Sequence, residues 1–336
     1  MAATGEAWSP TASAFERLLG GDSAALARAL SILERSDTRA DALAARLRPH
    51  TGRALVVGFT GPPGAGKSTL IGAYIAALRA DGEKVAVLAV DPSSPYSGGA
   101  VLGDRTRMGA HTLDPGVFIR SVASRGHLGG LSLSIPVLVD AVDAAGWPTI
   151  ILETVGAGQS ETEIIDFADI KVVLNAPGLG DDVQTMKAGV LEIADVLVVN
   201  KSDLPFAEQT RGQLEAMLER RDPSTPKPPI VCTSASNAEG ITDLVGAIHA
   251  RSAQLGSTTA DIRIARRLRG LLTRSVEAEL HARLSRIDDA HIDDVCSKIR
   301  AGTVTMHDAT EDLLAACLSS TTRLESRAPV TQRNQR

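Results

Sequence analysis

The middle of the chain alternates short apolar runs with segments whose apolar residues recur at helical spacing. The runs span residues 54–60, 84–90, 117–121, 149–152, 170–174, 196–199 and 229–232. Continuous apolar runs of this length are typical of strands buried on both faces, and such strands belong to parallel sheets. Because helices alternate with the strands, they are expected to cover the two faces of one sheet. The pattern therefore predicts an α/β fold with a mostly parallel central sheet.

Helical patterns flank this central region on both sides. Residues 22–35 and 41–47 have helical apolar spacing, as do the predicted helices over 289–300 and 305–318, whereas the polar end, 323–336, is expected to be disordered. From about residue 251 a long apolar stripe is accompanied by many arginines, and it consists of Ile264, Leu268, Leu271, Leu272, Val276, Leu280 and Leu284. We therefore divide the chain into an N-terminal helical extension (1–50), a central domain (51–252) and a C-terminal helical arm with its tail (253–336).

The apolar stripe of the arm needs a surface that covers it. A second copy of the chain would supply one, which predicts a homodimer. The rival arrangement packs the arm back onto the chain's own central domain.

Composition narrows the function classes. The net charge of −5 over 336 residues gives no reason to expect a nucleic-acid partner. No apolar run approaches the roughly 18–20 residues of a membrane span, and the N-terminus lacks the pattern of a secretory signal. Cys232, Cys296 and Cys317 are far apart and read as reduced thiols of a cytoplasmic protein.

One loop in the central domain carries a specific chemical signature. Gly61-Pro62-Pro63-Gly64-Ala65-Gly66-Lys67-Ser68 fits Gly-x-x-x-x-Gly-Lys-Ser, and it stands between a predicted strand and a predicted helix. In such a loop backbone N–H groups and a helix N-terminus surround phosphates. Lys67 would reach the β- and γ-phosphates and Ser68 would ligate Mg²⁺. We predict that residues 61–69, which end at Thr69, bind the phosphates of a nucleoside triphosphate.

A second motif predicts which base is bound. Asn200-Lys201-Ser202-Asp203 directly follows an apolar run, and Ser234-Ala235 follows the next run. The Asp203 carboxylate can accept both the ring N–H and the exocyclic amine of guanine, a pair of donors that adenine does not offer. The stem of Lys201 can cover the ring, and backbone N–H groups at Ser234 and Ala235 can meet the guanine carbonyl. GTP is therefore favoured over ATP.

A third motif, Glu153-Thr154-Val155-Gly156, ends the run at 149–152. Glu153 is expected to hold Mg²⁺ through water, and the Gly156 N–H is expected to approach the γ-phosphate and report its loss. Ala157 follows, where Ras-like enzymes carry the Gln that orients the attacking water. Hydrolysis is therefore expected to be slow without a partner.

These motifs and the segments around them resemble a known family. The chain is similar to the metallochaperone-like P-loop GTPases of the SIMIBI class, which carry Glu at the position of Glu153. Within them it resembles the MeaB/ArgK type, GTPase chaperones of adenosylcobalamin-dependent acyl-CoA mutases that include the mitochondrial methylmalonic aciduria type A protein. The resemblance covers about residues 22–284, and its segments are 91–108 (DPSSPYSGGAVLGDRTRM), 125–130 (RGHLGG), 153–161 (ETVGAGQSE) and 177–189 (PGLGDDVQTMKAG).

The resemblance implies further site residues. Asp91 and Asp104 would join Ser68 and Glu153 around Mg²⁺, and Lys187 would stabilise transition-state charge once a partner orders its segment. Together with Lys67 and Glu153, these three residues are the predicted catalytic set. The residues alone also allow Asp91 and Asp104 to be turn formers or helix caps, and Lys187 to lie on a solvated helix face.

The resemblance also implies a partner. The chain would bind an adenosylcobalamin-dependent acyl-CoA mutase, with methylmalonyl-CoA mutase as the default, and gate the loading and replacement of its cofactor. Cobalamin would then be reached only through the partner mutase. Asp182 and Ala188 depart from the residues that relatives often carry, which bears on the details of the partner contact.

Three other functions stay open at this point. A nickel or cobalt metallochaperone GTPase would normally display a Cys or His cluster, which the sequence lacks. A transport ATPase or protein kinase conflicts with Asn200-Lys201-Ser202-Asp203. A nucleotide-gated scaffold with negligible turnover is compatible with the missing Gln.

Overall fold

A computed structural model describes residues 12–35, 37–91, 111–123, 134–154, 167–178, 193–222, 226–254 and 260–319. The chain forms two compact units, of which the first ends at Leu271 and the second begins at Leu272.

In the described part of the chain, the first unit is built on one seven-stranded sheet. Its strands are β1 (Leu55–Thr60), β2 (Val85–Asp91), β3 (Val117–Ala123), β4 (Thr149–Thr154), β5 (Ile170–Asn175), β6 (Val196–Asn200) and β7 (Ile230–Thr233). They lie in the order β3-β2-β4-β1-β5-β6-β7, and all neighbouring pairs are parallel. The prediction of an α/β fold with a mostly parallel sheet is therefore confirmed.

The strands reach slightly further than their apolar runs at the carboxyl ends. Asp91, Thr154, Asn175 and Asn200 are polar residues that continue strands whose apolar part ends before them. They can do so because ladder hydrogen bonds use backbone groups and not side chains. The extension matters for function, since it carries polar side chains to the carboxyl edge of the sheet.

Helices cover both faces of the sheet. The helices described in the first unit are α1 (Ala12–Leu19), α2 (Ser23–Leu33), α3 (Thr38–Leu47), α4 (Lys67–Ala80), α5 (Ile135–Ala144), α6 (Ala207–Glu219), α7 (Ile241–Gln254) and the start of α8 (Ala260–Leu284); a short 3₁₀ turn, Arg48–His50, follows α3. One face packs against α4 and α7 and buries Phe59, Tyr74 and Leu244 between them, whereas the other packs against α2, α3 and α5 and buries Leu30 and Val142.

The N-terminal helices belong to the same core as the sheet. Aspartates start two of them: Asp22 accepts a hydrogen bond from the Ala25 N–H at 2.6 Å, and Asp37 accepts from the Ala40 N–H at 3.0 Å. Such caps satisfy donors that the first helical turn leaves free. Helix α1 was not predicted as an element because its eight residues are too short for a convincing period.

The second unit is helical in the part that the structure describes. It contains the rest of α8, α9 (Asp289–Arg300) and α10 (Met306–Ser319). Ala309 and Cys317 are buried, and the Arg283 guanidinium donates to the Cys317 carbonyl at 3.0 Å. None of the helices described in either unit combines the length and apolarity that crossing a membrane requires.

Candidate functional site

The loop after β1 comes so close to neighbouring segments that two of its positions require glycine. Gly61 has φ of 148°, and a Cβ there would lie 2.4 Å from the Leu174 carbonyl oxygen of β5. Gly66 has φ of 89°, and a Cβ there would lie 2.5 Å from the Asn200 side-chain amide of β6. Both φ values also disfavour residues with a side chain. The loop is therefore held between β1, β5 and β6 at the carboxyl edge, where ligands bind in such sheets.

Lys67 begins α4 and turns back over this loop. Its ammonium donates to the Gly61 carbonyl at 2.5 Å and the Pro62 carbonyl at 3.2 Å, and the residue is only 8% exposed. These contacts hold the ammonium over the loop. The loop and the helix N-terminus place that charge where phosphates are expected.

Ser68 and Glu153 meet beside the loop. The Ser68 hydroxyl donates to Glu153 Oε1 at 2.6 Å, and both residues are buried. The contact follows from the sheet order, since β4 lies next to β1 and Glu153 is level with Phe59. A hydroxyl and a carboxylate side by side supply the hard oxygen ligands that Mg²⁺ prefers, so the pair fits a Mg²⁺ site.

Asn200 links three segments at the end of β6. Its amide nitrogen donates to the Ala65 carbonyl at 2.8 Å, and its amide oxygen accepts from the Thr233 hydroxyl at 3.1 Å and the Ala235 N–H at 3.3 Å. The phosphate loop, the Asn200 loop and the turn after β7 are therefore connected through one side chain.

The base-binding candidates lie in the same place. Lys201 adopts φ of 56°, and the Ser202 N–H donates to the Thr233 carbonyl at 2.9 Å. The Asp203 carboxylate accepts a hydrogen bond from the Ser234 hydroxyl at 2.6 Å. A carboxylate can accept several hydrogen bonds, so the Asp203 carboxylate can accept further donors beside the Ser234 hydroxyl.

A comparison with protein families identifies the chain. The model described as methylmalonyl Co-A mutase-associated GTPase MeaB matches residues 26–288. The chain belongs to the MeaB family. It is therefore a GTPase, and the predicted resemblance is confirmed.

Two relatives and one solved structure agree with membership of the MeaB family. A Pyrococcus horikoshii protein named as a GTPase is 48% identical over 233 residues, which are 68% of this chain and 74% of that protein. The methylmalonic aciduria type A homolog of mouse mitochondria is 37% identical over 249 residues, 68% of this chain and 59% of that protein. A crystal structure of a LAO/AO transport system kinase superposes with a TM-score of 0.73 at 29% identity, covering 92% of this chain and 97% of the other.

Several predicted site residues of this MeaB-family chain lie outside the described residues. They are Asp104, Gly156 and Lys187. Asp91 is the last residue of β2, and only its backbone is described; it follows Val90, which is level with Thr154 of β4. Their roles stay predictions.

The structure adds one polar residue that the sequence analysis passed over. Asn175 ends β5 at the carboxyl edge, is 2% exposed, and its amide nitrogen contacts no hydrogen-bond acceptor within the described structure. The sequence does contain a signal for Asn175, because it directly follows the apolar run 170–174 in the same way that Asn200 follows the run 196–199.

Proposed function

We propose that this GTPase serves an adenosylcobalamin-dependent acyl-CoA mutase, with methylmalonyl-CoA mutase as the first candidate. In this proposal it gates the loading, protection and reactivation of the cofactor, and it reaches cobalamin only through the mutase. The observation that carries the proposal is the match of residues 26–288 to a family described by its association with methylmalonyl-CoA mutase. We place the protein in the cytoplasm, with which its three widely spaced cysteines are consistent.

GTP binding would use contacts that the described side chains now make with each other. Lys67 would exchange its contacts with loop carbonyls for the β- and γ-phosphates. Asp203 would exchange the Ser234 hydroxyl for the two donors of guanine, while Lys201 covers the ring. Ser234 and Ala235 would offer backbone N–H groups to the guanine carbonyl.

Residues at the end of β4 and the start of α4 would hold the metal. Ser68 and Glu153 supply adjacent oxygen ligands, and we propose that Asp91 and Asp104 complete the site. Mg²⁺ bound there neutralises charge that develops on the phosphates.

We propose that hydrolysis proceeds by in-line attack of water on the γ-phosphate, with the Gly156 N–H reporting loss of the phosphate. Lys67 stabilises the developing charge, and Lys187 adds a second positive charge when the mutase is bound. Because Ala157 stands where a water-orienting Gln could be, turnover is slow without the mutase.

A homodimer is part of the proposal. On α8, Leu272 is 67% exposed and Val276 is 58% exposed, one turn apart on a helix of 25 residues. Exposed apolar faces of helices often mark surfaces of interaction, so this face supports a contact between two copies of the chain. Replacing both residues by Asp should shift the molecular mass in light scattering from dimer to monomer, and a mass that stays unchanged would contradict the dimer.

The experiment is steady-state hydrolysis of GTP and ATP by the purified protein, alone and with methylmalonyl-CoA mutase. We expect slow, GTP-selective turnover that rises several-fold with the mutase. Selective turnover that this mutase does not change would redirect the search to mutases for isobutyryl-type CoA esters. If no mutase changes the turnover but an assay that delivers Ni²⁺ or Co²⁺ to a target protein does, a metallochaperone would be favoured. If the protein binds GTP without hydrolysing it, a scaffold would be favoured.

A further inference from the structure

Two aspartates at the amino edge of the sheet follow a shared pattern. Asp169 precedes β5 and accepts the Val56 N–H of β1 at 3.0 Å, and Asp195 precedes β6 and accepts the Lys171 N–H of β5 at 3.0 Å. Each also meets an arginine from a later helix: Arg267 of α8 lies 3.4 Å from Asp169, and Arg251 of α7 lies 3.2 Å from Asp195.

The two arginines differ in how many carboxylates they serve. Arg251 and Asp195 form a partly exposed pair of one cation and one anion. Arg267 lies among three carboxylates, 3.6 Å from Asp140, 3.4 Å from Asp143 and 3.4 Å from Asp169, and its own side chain is 3% exposed. This Arg267 cluster therefore gathers three carboxylates around one buried guanidinium.

Two of the three carboxylates accept hydrogen bonds from the backbone next to β1. Asp143 accepts the N–H groups of Gly52 at 2.6 Å and Ala54 at 3.0 Å, just before β1, and Asp169 accepts that of Val56. Asp140 is placed differently, since the contact that its carboxylate makes within the described residues is the ion pair with Arg267.

The surroundings of Asp140 select it as the group that takes up a proton. Burial raises its pKa to about 6; Arg267 from α8 opposes this, the neighbouring Asp143 adds to it, and Arg48 of the 3₁₀ turn opposes it. Protonation of Asp140 removes its negative charge and with it the repulsion between Asp140 and Asp143.

We propose that the Arg267 cluster is a proton-linked clasp, in which one proton on Asp140 relieves its repulsion with Asp143 and tightens the hold of the sheet's amino edge on the start of α8. The direction in which stability changes with pH follows from the difference between the pKa of Asp140 in the folded and in the unfolded chain. The unfolded carboxyl ionises near its ordinary pKa of 3.8, whereas the folded one stays protonated up to about 6. Stability therefore falls as pH rises across that interval, and the loss is constant above it.

The test is thermal unfolding of Asp140→Asn, which keeps the shape of the side chain and removes its charge. We expect Tm to exceed that of the wild type by about 3–6 °C above pH 6, and the difference to shrink towards zero as pH falls to about 4. Amide exchange over residues 260–271 should slow in the variant at neutral pH, while exchange over α7 stays unchanged.

Asp195→Asn is the matched control, because it changes the corresponding carboxylate of a balanced pair. Asp195→Asn should lower Tm, and the difference between its Tm and that of the wild type should not rise as the pH is raised from 4 to 6. A lower Tm for Asp140→Asn at neutral pH, or a difference that does not depend on pH, would overturn the proposal. Arg267→Met removes the cation that three carboxylates share and is expected to destabilise the fold strongly at every pH, so the test does not rest on it.

Discussion

The two edges of the sheet each bury a cation, and they surround it in opposite ways. At the carboxyl edge Lys67 is held by the neutral carbonyls of Gly61 and Pro62. At the amino edge Arg267 lies among the carboxylates of Asp140, Asp143 and Asp169. Lys67 thus contacts the loop at which phosphates are expected, whereas Arg267 joins a helix to carboxylates that are bonded to the backbone of the sheet.

The polar partners show the same difference. Asp143 and Asp169 accept backbone N–H groups, which cannot leave without disturbing β1. Glu153 and Asp203 accept hydroxyls from Ser68 and Ser234, which can rotate away when a metal or a base arrives. Exchangeable side-chain donors thus mark the binding edge, and fixed backbone donors mark the structural edge.

The largest effect is expected at the structural edge. Arg267→Met should lower the free energy of unfolding by about 3–5 kcal/mol, because it removes a buried cation that three carboxylates share. Urea unfolding monitored by circular dichroism measures this, and adding Asp140→Asn should recover part of the loss. Arg211→Met removes an exposed pair with Glu215 and should leave the midpoint unchanged. A loss at Arg267 no larger than at Arg211 would break the comparison between the edges.

At the binding edge, Lys67→Met should act on turnover and not on the fold. Losing a positive charge aimed at the phosphates should reduce GTP hydrolysis by about 10²–10³-fold. Tm of the nucleotide-free protein should fall less than in Arg267→Met, since the Gly61 and Pro62 carbonyls belong to the loop that leads into Lys67. Single-turnover hydrolysis measures the loss of activity, and thermal unfolding measures the change in Tm. A large fall in Tm would show that Lys67, like Arg267, stabilises the fold.

Asp203→Asn sharpens the comparison within the binding edge. An amide can still accept from the Ser234 hydroxyl, so the fold should persist, but it cannot accept both donors of guanine. We expect GTP affinity to fall about 10²-fold or more and xanthosine triphosphate to be bound instead. Nucleotide titration measures the change, with the exposed Asp243→Asn as control. Unchanged selectivity would remove Asp203 from base recognition.

The fold and much of the binding edge were predictable because their signals are local. A strand run, a glycine loop and a helix stand next to each other in sequence, so the position of Lys67 and Ser68 follows without knowledge of tertiary contacts. The residue that meets Ser68, Glu153, comes from a strand end that apolar patterning also predicts. Parallel strands then bring these ends to one edge.

The structural edge was not predictable because its contacts join distant segments. Arg267 and Asp143 are separated by 124 positions, and nothing in either neighbourhood signals the other. Helical periodicity assigned Arg267 to the arginines beside an apolar stripe and Leu272 to the stripe itself. In the structure Arg267 is buried among carboxylates of the first unit, whereas Leu272, the first residue of the second unit, is exposed.

The smallest effect concerns glycine, and it separates a position that the site requires from one that it does not. Gly66 has φ of 89° against the Asn200 amide, whereas a Cβ at Gly246, exposed in α7, would meet nothing within 4 Å. Gly246→Ala should therefore stabilise the chain by about 0.5–1 kcal/mol by restricting the unfolded chain. Thermal unfolding should show a rise in Tm with GTP affinity unchanged. Gly66→Ala should instead lose GTP binding, because the Asn200 amide would have to move and release the Ala65 carbonyl. If both substitutions left GTP binding intact, the close approach of the loop to β6 would not be what shapes the binding edge.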